Sequence, residues 1–98
     1  MTQKGPCVYM LASRRNGTLY IGVTSDLALR ISQYRSNAVT GFVQDYRVHR
    51  LVFAEFHNTM EAAILREKRL KKWRRVWKLE LIERHNPQWR DLYDELAT

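Results

Sequence analysis

The chain has 98 residues, 45% of them hydrophobic, with three Trp, five Tyr and three Phe, which favours one compact domain and argues against wholesale disorder. Seventeen Lys and Arg oppose ten Asp and Glu for a net charge of +7, so a polyanion is the first partner to consider. A single cysteine, Cys7, excludes an internal disulfide and a cysteine-based zinc site, and no apolar run reaches the roughly 20 residues that span a bilayer.

The opening Met-Thr-Gln-Lys-Gly-Pro has no apolar signal core, and with one thiol this leads to the expectation of a reduced, cytoplasmic setting. Cys7-Val-Tyr-Met-Leu-Ala12 and Thr18-Leu-Tyr-Ile-Gly-Val23 read as two short strands. Ser13-Arg-Arg-Asn-Gly17 between them contains an Asn-Gly pair that tolerates positive φ, predicting an antiparallel hairpin. Thr24-Ser25-Asp26 supplies N-cap oxygens, and Leu27, Ile31 and Tyr34 follow on one helical face. Ser36 to Tyr46 reads as a loop, and His49 to Phe56 as a third strand.

Asn58 with Glu61 fits a capping box for a helix from about Thr59 to Lys72. A further helix from about Arg75 to Arg84 ends before Pro87, and Gln88 to Leu96 is expected to form one more short helix bearing Trp89, Leu92 and Tyr93. The order β-β-α-β-α-α predicts one small α+β domain over residues 1–98, with a core of about 7–93 and a mainly antiparallel sheet.

Several residues sit in unexpected places. Met60, Ala63 and Ile64 form an apolar stripe on the predicted helix, and Glu67 projects from the same stripe. A carboxylate there needs an ion pair, with Arg66, Lys71 or Arg30, or a metal. Arg30 lies at the edge of the first helix's buried face, where it either snorkels to solvent or holds a phosphate oxygen in its fork. Tyr9 and Tyr20 alternate away from Val8, Met10, Leu19 and Ile21, either as cross-strand aromatic neighbours or with hydroxyls available on a less apolar face.

The span Arg66 to Arg84 holds nine of the seventeen basic residues against three acids. Lys68, Lys71, Lys72, Arg74 and Arg75 make it a candidate nucleic-acid surface, with a solvated helix face as the bland alternative. Trp73 and Trp77 interleave with these charges and either stack on bases or pack in the core. Cys7, at the start of an apolar strand, reads as a packed thiol.

Tyr9, Tyr20-Ile-Gly22, Arg30, Glu67 and Asn86 fall in the order seen in the GIY-YIG nuclease superfamily, and the chain resembles a small stand-alone bacterial member of it. The likeness extends through Leu19 to Leu27, Ala62 to Glu67, Lys71 to Arg75 and Asn86 to Leu92. It implies a three-stranded antiparallel sheet flanked by helices, and cleavage of nucleic-acid phosphodiesters with a divalent metal, Mg²⁺ or Mn²⁺. By position it casts Glu67 as the metal carboxylate, Arg30 as the phosphate contact, and Tyr9 and Tyr20 as groups that activate or orient water. Tyr34 stands where many relatives carry histidine, and Cys7-Val8-Tyr9 replaces Gly-Ile-Tyr. DNA is expected ahead of RNA, with no membrane or obligate protein partner. The competing readings are a binding module that keeps the fold without catalysis, and a basic domain for an acidic protein or membrane surface.

Overall fold

The computed structural model describes residues 5–36 and 47–96. The loop expected over Ser36 to Tyr46 lies, after Ser36, outside the described residues. Strands β1 (Cys7–Ala12), β2 (Leu19–Thr24) and β3 (Arg50–Phe56) form an antiparallel sheet in the order β2-β1-β3. Helix α1 (Leu27–Arg35) follows β2, and α2 (Met60–Lys72), α3 (Arg75–His85) and the short α4 (Tyr93–Leu96) follow β3. The expected α+β order is therefore observed, with the last helix confined to one turn.

The β1–β2 hairpin closes through Ser13 N–H donating to Thr18 O at 3.0 Å, and Gly17 N–H to Arg14 O at 2.9 Å. Asn16 takes the positive φ, 59°, that the Asn-Gly pair accommodates. Register pairs Tyr9 with Gly22 and Leu11 with Tyr20. Asp26 caps α1, its carboxylate accepting from Leu29 N–H at 3.2 Å, and Leu27, Ile31 and Tyr34 are its buried face.

At α2 the cap is Thr59, not Asn58: the Thr59 hydroxyl accepts from Ala62 N–H at 3.1 Å. The buried line of α2 is Ala63 and Leu70, while Met60 and Ile64 are exposed. The predicted stripe is thus rotated, because Ala63, Glu67 and Leu70 at i, i+4 and i+7 satisfy the helical spacing as well as Met60, Ala63 and Ile64 at i, i+3 and i+4. Helix α3 runs one residue past Arg84 and ends at Asn86, ahead of Pro87. Trp89 is not helical. It has φ 55°, is wholly buried, and donates from its indole to Glu83 at 3.1 Å.

Because β1 is central, both its faces are covered. Val8, Met10 and Ala12 pack with Val52, Ala63, Leu70, Leu81, Ile82 and Trp89 on one side. Cys7, Tyr9 and Leu11 pack with Leu27, Ile31, Tyr34, Val48 and Leu51 on the other. The outer edge of β3 is covered by the tail: Leu92 N–H donates to Leu51 O at 2.8 Å, and the Asp91 carboxylate accepts from Leu51 N–H. Strand β2 forms the opposite edge of the sheet.

Candidate active site

The site is built where α1 and α2 flank β2. Tyr9 from β1, Tyr20 from β2 and Tyr34 from α1 form a triangle of rings with centroid separations of 6.4, 6.4 and 6.2 Å. Such spacings are typical of tilted and edge-on aromatic pairs. The Tyr9 and Tyr34 hydroxyls share a hydrogen bond of 2.8 Å, and the Tyr20 ring meets Tyr34 edge-on. The sequence places Tyr9 on a less apolar face with its hydroxyl available, but the structure corrects this. Tyr9 is buried, because α1 covers the second face of β1, and its hydroxyl is already engaged.

Gly22 makes this arrangement sterically permissible. A Cβ at that position would lie 2.4 Å from the Tyr9 hydroxyl oxygen and 2.5 Å from its Cζ, so the ring crosses the strand only because its register partner has no side chain. The glycine of Tyr20-Ile-Gly22 has this physical role, which local sequence does not disclose.

Arg30 and Glu67 approach Tyr20 with opposite charge. Burial pushes the Tyr20 hydroxyl up to about 12, Tyr34 adds to this, the Arg30 guanidinium opposes it and the Glu67 carboxylate reinforces it. Tyr9 is raised further, first by burial and then by Tyr34, again against Arg30. Both hydroxyls are therefore protonated at neutral pH. Arg30 is half-buried, and its guanidinium makes no ion pair with another described residue.

Glu67 is the carboxylate of this group, with 15% side-chain exposure and Lys71 Nζ 3.4 Å away. Of its three candidate ion-pair partners, Lys71 is the one engaged. Arg66 turns instead to Glu55 on β3, donating at 2.9 and 3.3 Å, while His57 lies 2.8 Å from the same carboxylate. Burial alone would raise the Glu55 carboxyl, but Arg66 and His57 outweigh it and hold it below the usual carboxylate value. This network, absent from the sequence reading, braces α2 against β3 one residue before Glu67. No local pattern announces it, since the partners are eleven residues apart.

Among the described residues no three His, Cys, Asp or Glu side chains converge. A cation here would rest on Glu67 and water, a donor set that suits Mg²⁺, which keeps several waters. Cys7 is a wholly buried thiol pushed up to about 12, chiefly by burial, which leaves it without thiolate character.

The other candidates fall elsewhere. Lys68, Lys72 and Arg74 are exposed on α2 and the α2–α3 elbow. Arg75 is committed to the hairpin, donating to Asn16 O at 2.8 Å and Gly17 O at 2.6 Å. Asn86 is not brought to the tyrosines. It is buried, its amide donates to Val52 O and Arg90 O, and its carbonyl accepts from Arg90 N–H, so it joins the end of α3 to the opposite edge of the sheet.

Tyr9 thus packs over the strand glycine Gly22, and Arg30 on α1 and Glu67 on α2 act with opposite charge on the neighbouring Tyr20 hydroxyl. Residues 5–80 match the GIY-YIG catalytic domain, and the chain belongs to that family. It is accordingly a nuclease-type domain whose substrate is nucleic acid. The matched residues include Tyr9, Tyr20, Arg30, Tyr34 and Glu67 and exclude Asn86. No curated protein and no solved structure matches the chain.

Proposed function

We propose that the protein is a divalent-metal-dependent endonuclease that hydrolyses phosphodiester bonds in DNA, acting on structured, damaged or single-stranded forms. The observation that carries this reading is that a shielded carboxylate, Glu67, and an arginine without an ion pair among the described residues, Arg30, act on the same hydroxyl, that of Tyr20. A carboxylate beside a phosphate site is repulsive unless a cation intervenes, so its presence next to a phosphate-binding arginine favours catalysis over binding alone.

When bound, Mg²⁺ or Mn²⁺ would supply positive charge against the phosphate oxygens that gain charge in the transition state. Arg30 holds a non-bridging oxygen of the scissile phosphate in its fork. Water attacks the phosphorus and gives up a proton to solvent, the P–O bond to the leaving oxygen breaks, and that oxygen takes up a proton from solvent. Tyr20, protonated and only partly buried, donates a hydrogen bond that orients water or phosphate, while buried Tyr9 and Tyr34 hold one another through their shared hydrogen bond behind it. In this reading Tyr9 is a positioning group, and acts as a base only where a nearby cation lowers its pKa. Lys71 adds positive charge beside the Glu67 carboxylate.

The alternative is a non-catalytic nucleic-acid-binding module, favoured by the existing Lys71–Glu67 pair and the exposed Lys68, Lys72 and Arg74. Cleavage assays on duplex, nicked, branched and single-stranded DNA with Mg²⁺ or Mn²⁺ separate the two. Glu67→Ala and Arg30→Ala should each slow cleavage by about 10²-fold or more. Binding without cleavage on every substrate would establish the module. Undiminished cleavage in both variants would remove these residues from the site. Among the described residues no helix is long and apolar enough to cross a membrane, and a cytoplasmic setting remains part of this proposal.

A further inference from the structure

The elbow between α2 and α3 carries an aromatic group that the cleavage chemistry does not use. Trp73 is half-buried against the aliphatic core, with the Arg66 guanidinium 5.2 Å from its ring centroid. Trp77 meets it edge-on at 6.2 Å and 87°, yet is itself 48% exposed. The Arg74 guanidinium lies 5.8 Å from the Trp77 centroid, within cation–π range. Both indoles, with Glu80, Leu81 and Arg84, line a cavity of about 180 Å³.

Trp77, Glu80, Leu81 and Arg84 follow at i, i+3, i+4 and i+7 on α3, so one helical face presents an aromatic ring, an apolar floor and two charged rims. The volume is below the roughly 300–1,000 Å³ of sites for drug-sized ligands and suits a single planar ring. The charge pattern separates base from phosphate. Lys68, Arg69, Lys72 and Arg74 surround the elbow with positive charge, whereas Glu80 in the cavity repels a phosphate and accepts from an exocyclic amino group. Arg84 offers donors to ring acceptors on the same base.

The elbow also adjoins the candidate active site. Arg66 and Glu67 are consecutive on α2, one reaching Trp73 and the other acting on Tyr20. Lys71 pairs with Glu67, and its carbonyl accepts from Lys78, the residue after Trp77, at 3.3 Å. We infer that Trp77 and Trp73 form a stacking seat for an unpaired nucleobase of a DNA strand whose backbone follows the basic elbow towards Glu67 and Arg30. This rests on the nucleic-acid reading above and specifies it: the preferred substrate contains unpaired bases. Base–aromatic stacking is tolerant of sequence because every base has a π-face.

The test measures binding without cleavage, in a Glu67→Gln background, by anisotropy of labelled single-stranded and duplex DNA of equal length. Trp77→Ala should weaken single-strand binding about 10-fold or more and leave duplex binding within about 2-fold. Trp77→Phe, which keeps a stacking ring, should restore most of the affinity. Single-stranded DNA should also quench indole fluorescence in the Trp77-containing protein. Equal loss on both DNAs, or no loss on either, would overturn the seat, as would a single-stranded RNA that outcompetes the DNA of matching sequence for the assignment to DNA. If the wild type cleaves nothing but the Trp77 effect is selective for single strands, the seat stands and the nuclease reading fails.

Discussion

The two faces of β1 are equally buried but chemically unlike. Val8, Met10 and Ala12 meet aliphatic side chains with Phe53, Trp73 and Trp89, none of which brings a hydroxyl, whereas Cys7, Tyr9 and Leu11 meet a layer that contains Tyr20 and Tyr34. Dispersion and hydrophobic burial stabilise the first face, and they are indifferent to small rotations as long as volume is filled. The second face adds a directional hydrogen bond between Tyr9 and Tyr34 and an edge-on contact of Tyr20 with Tyr34, so these rings have defined positions. One strand thereby carries the stability of the domain on one side and places functional groups on the other.

The largest expected effect tests whether the faces are separable. Trp89 is wholly buried on the aliphatic side, beyond the residues shared with the family. Trp89→Ala should cost about 3–5 kcal/mol in a urea titration, while cleavage per folded molecule stays within a few-fold of wild type. A matching collapse of activity in the folded fraction would show that the aliphatic face also positions the site.

A smaller loss of stability with a larger loss of function is expected on the other face. Gly22→Ala places a methyl 2.4–2.5 Å from the Tyr9 hydroxyl and Cζ, and Tyr9 is packed too tightly to swing clear. The overpacking should cost about 1–3 kcal/mol and reduce cleavage at least about 10-fold by displacing the hydroxyls. Because the contact includes Cζ, adding Tyr9→Phe should not restore stability. Recovery in that double variant would mean that only the hydroxyl is crowded.

How far this division was legible in the sequence depends on range. The face of α1 follows from Leu27, Ile31 and Tyr34 at helical spacing behind Asp26, all local information, and it holds in the structure. Glu67 stands out by periodicity, but against the wrong stripe: Met60 and Ile64 are exposed, and Leu70 completes the buried line. A helix with so few apolar residues fits two windings equally well, and only packing on the sheet selects one. The Tyr9–Tyr34 bond, the Glu55–Arg66 brace and the positive φ of Trp89 depend on residues distant in the chain or on tertiary burial. No propensity or short motif encodes these. Asn86 has the right order for the family likeness, yet its hydrogen bonds are spent joining α3 to β3.

The smallest expected effect is on the alkaline limb of stability. A group whose pKa is raised on folding stabilises the protein fully below its unfolded value, and that contribution is lost as pH climbs through the folded value. Tyr20 rises from about 10 to about 12 and Cys7 from about 9 to about 12, both mainly through burial, and both lie on the tyrosine face. Thermal stability should therefore begin to fall above about pH 9 and decline more steeply between about 10 and 12. Tyr20→Phe should flatten the upper part of that window. Trp89→Ala should lower the whole curve without altering its slope, since the aliphatic face contains no group that titrates there. An alkaline slope unchanged by Tyr20→Phe would show that the hydroxyl is not shielded in solution, which would also remove the reason for treating it as a fixed donor to phosphate or water.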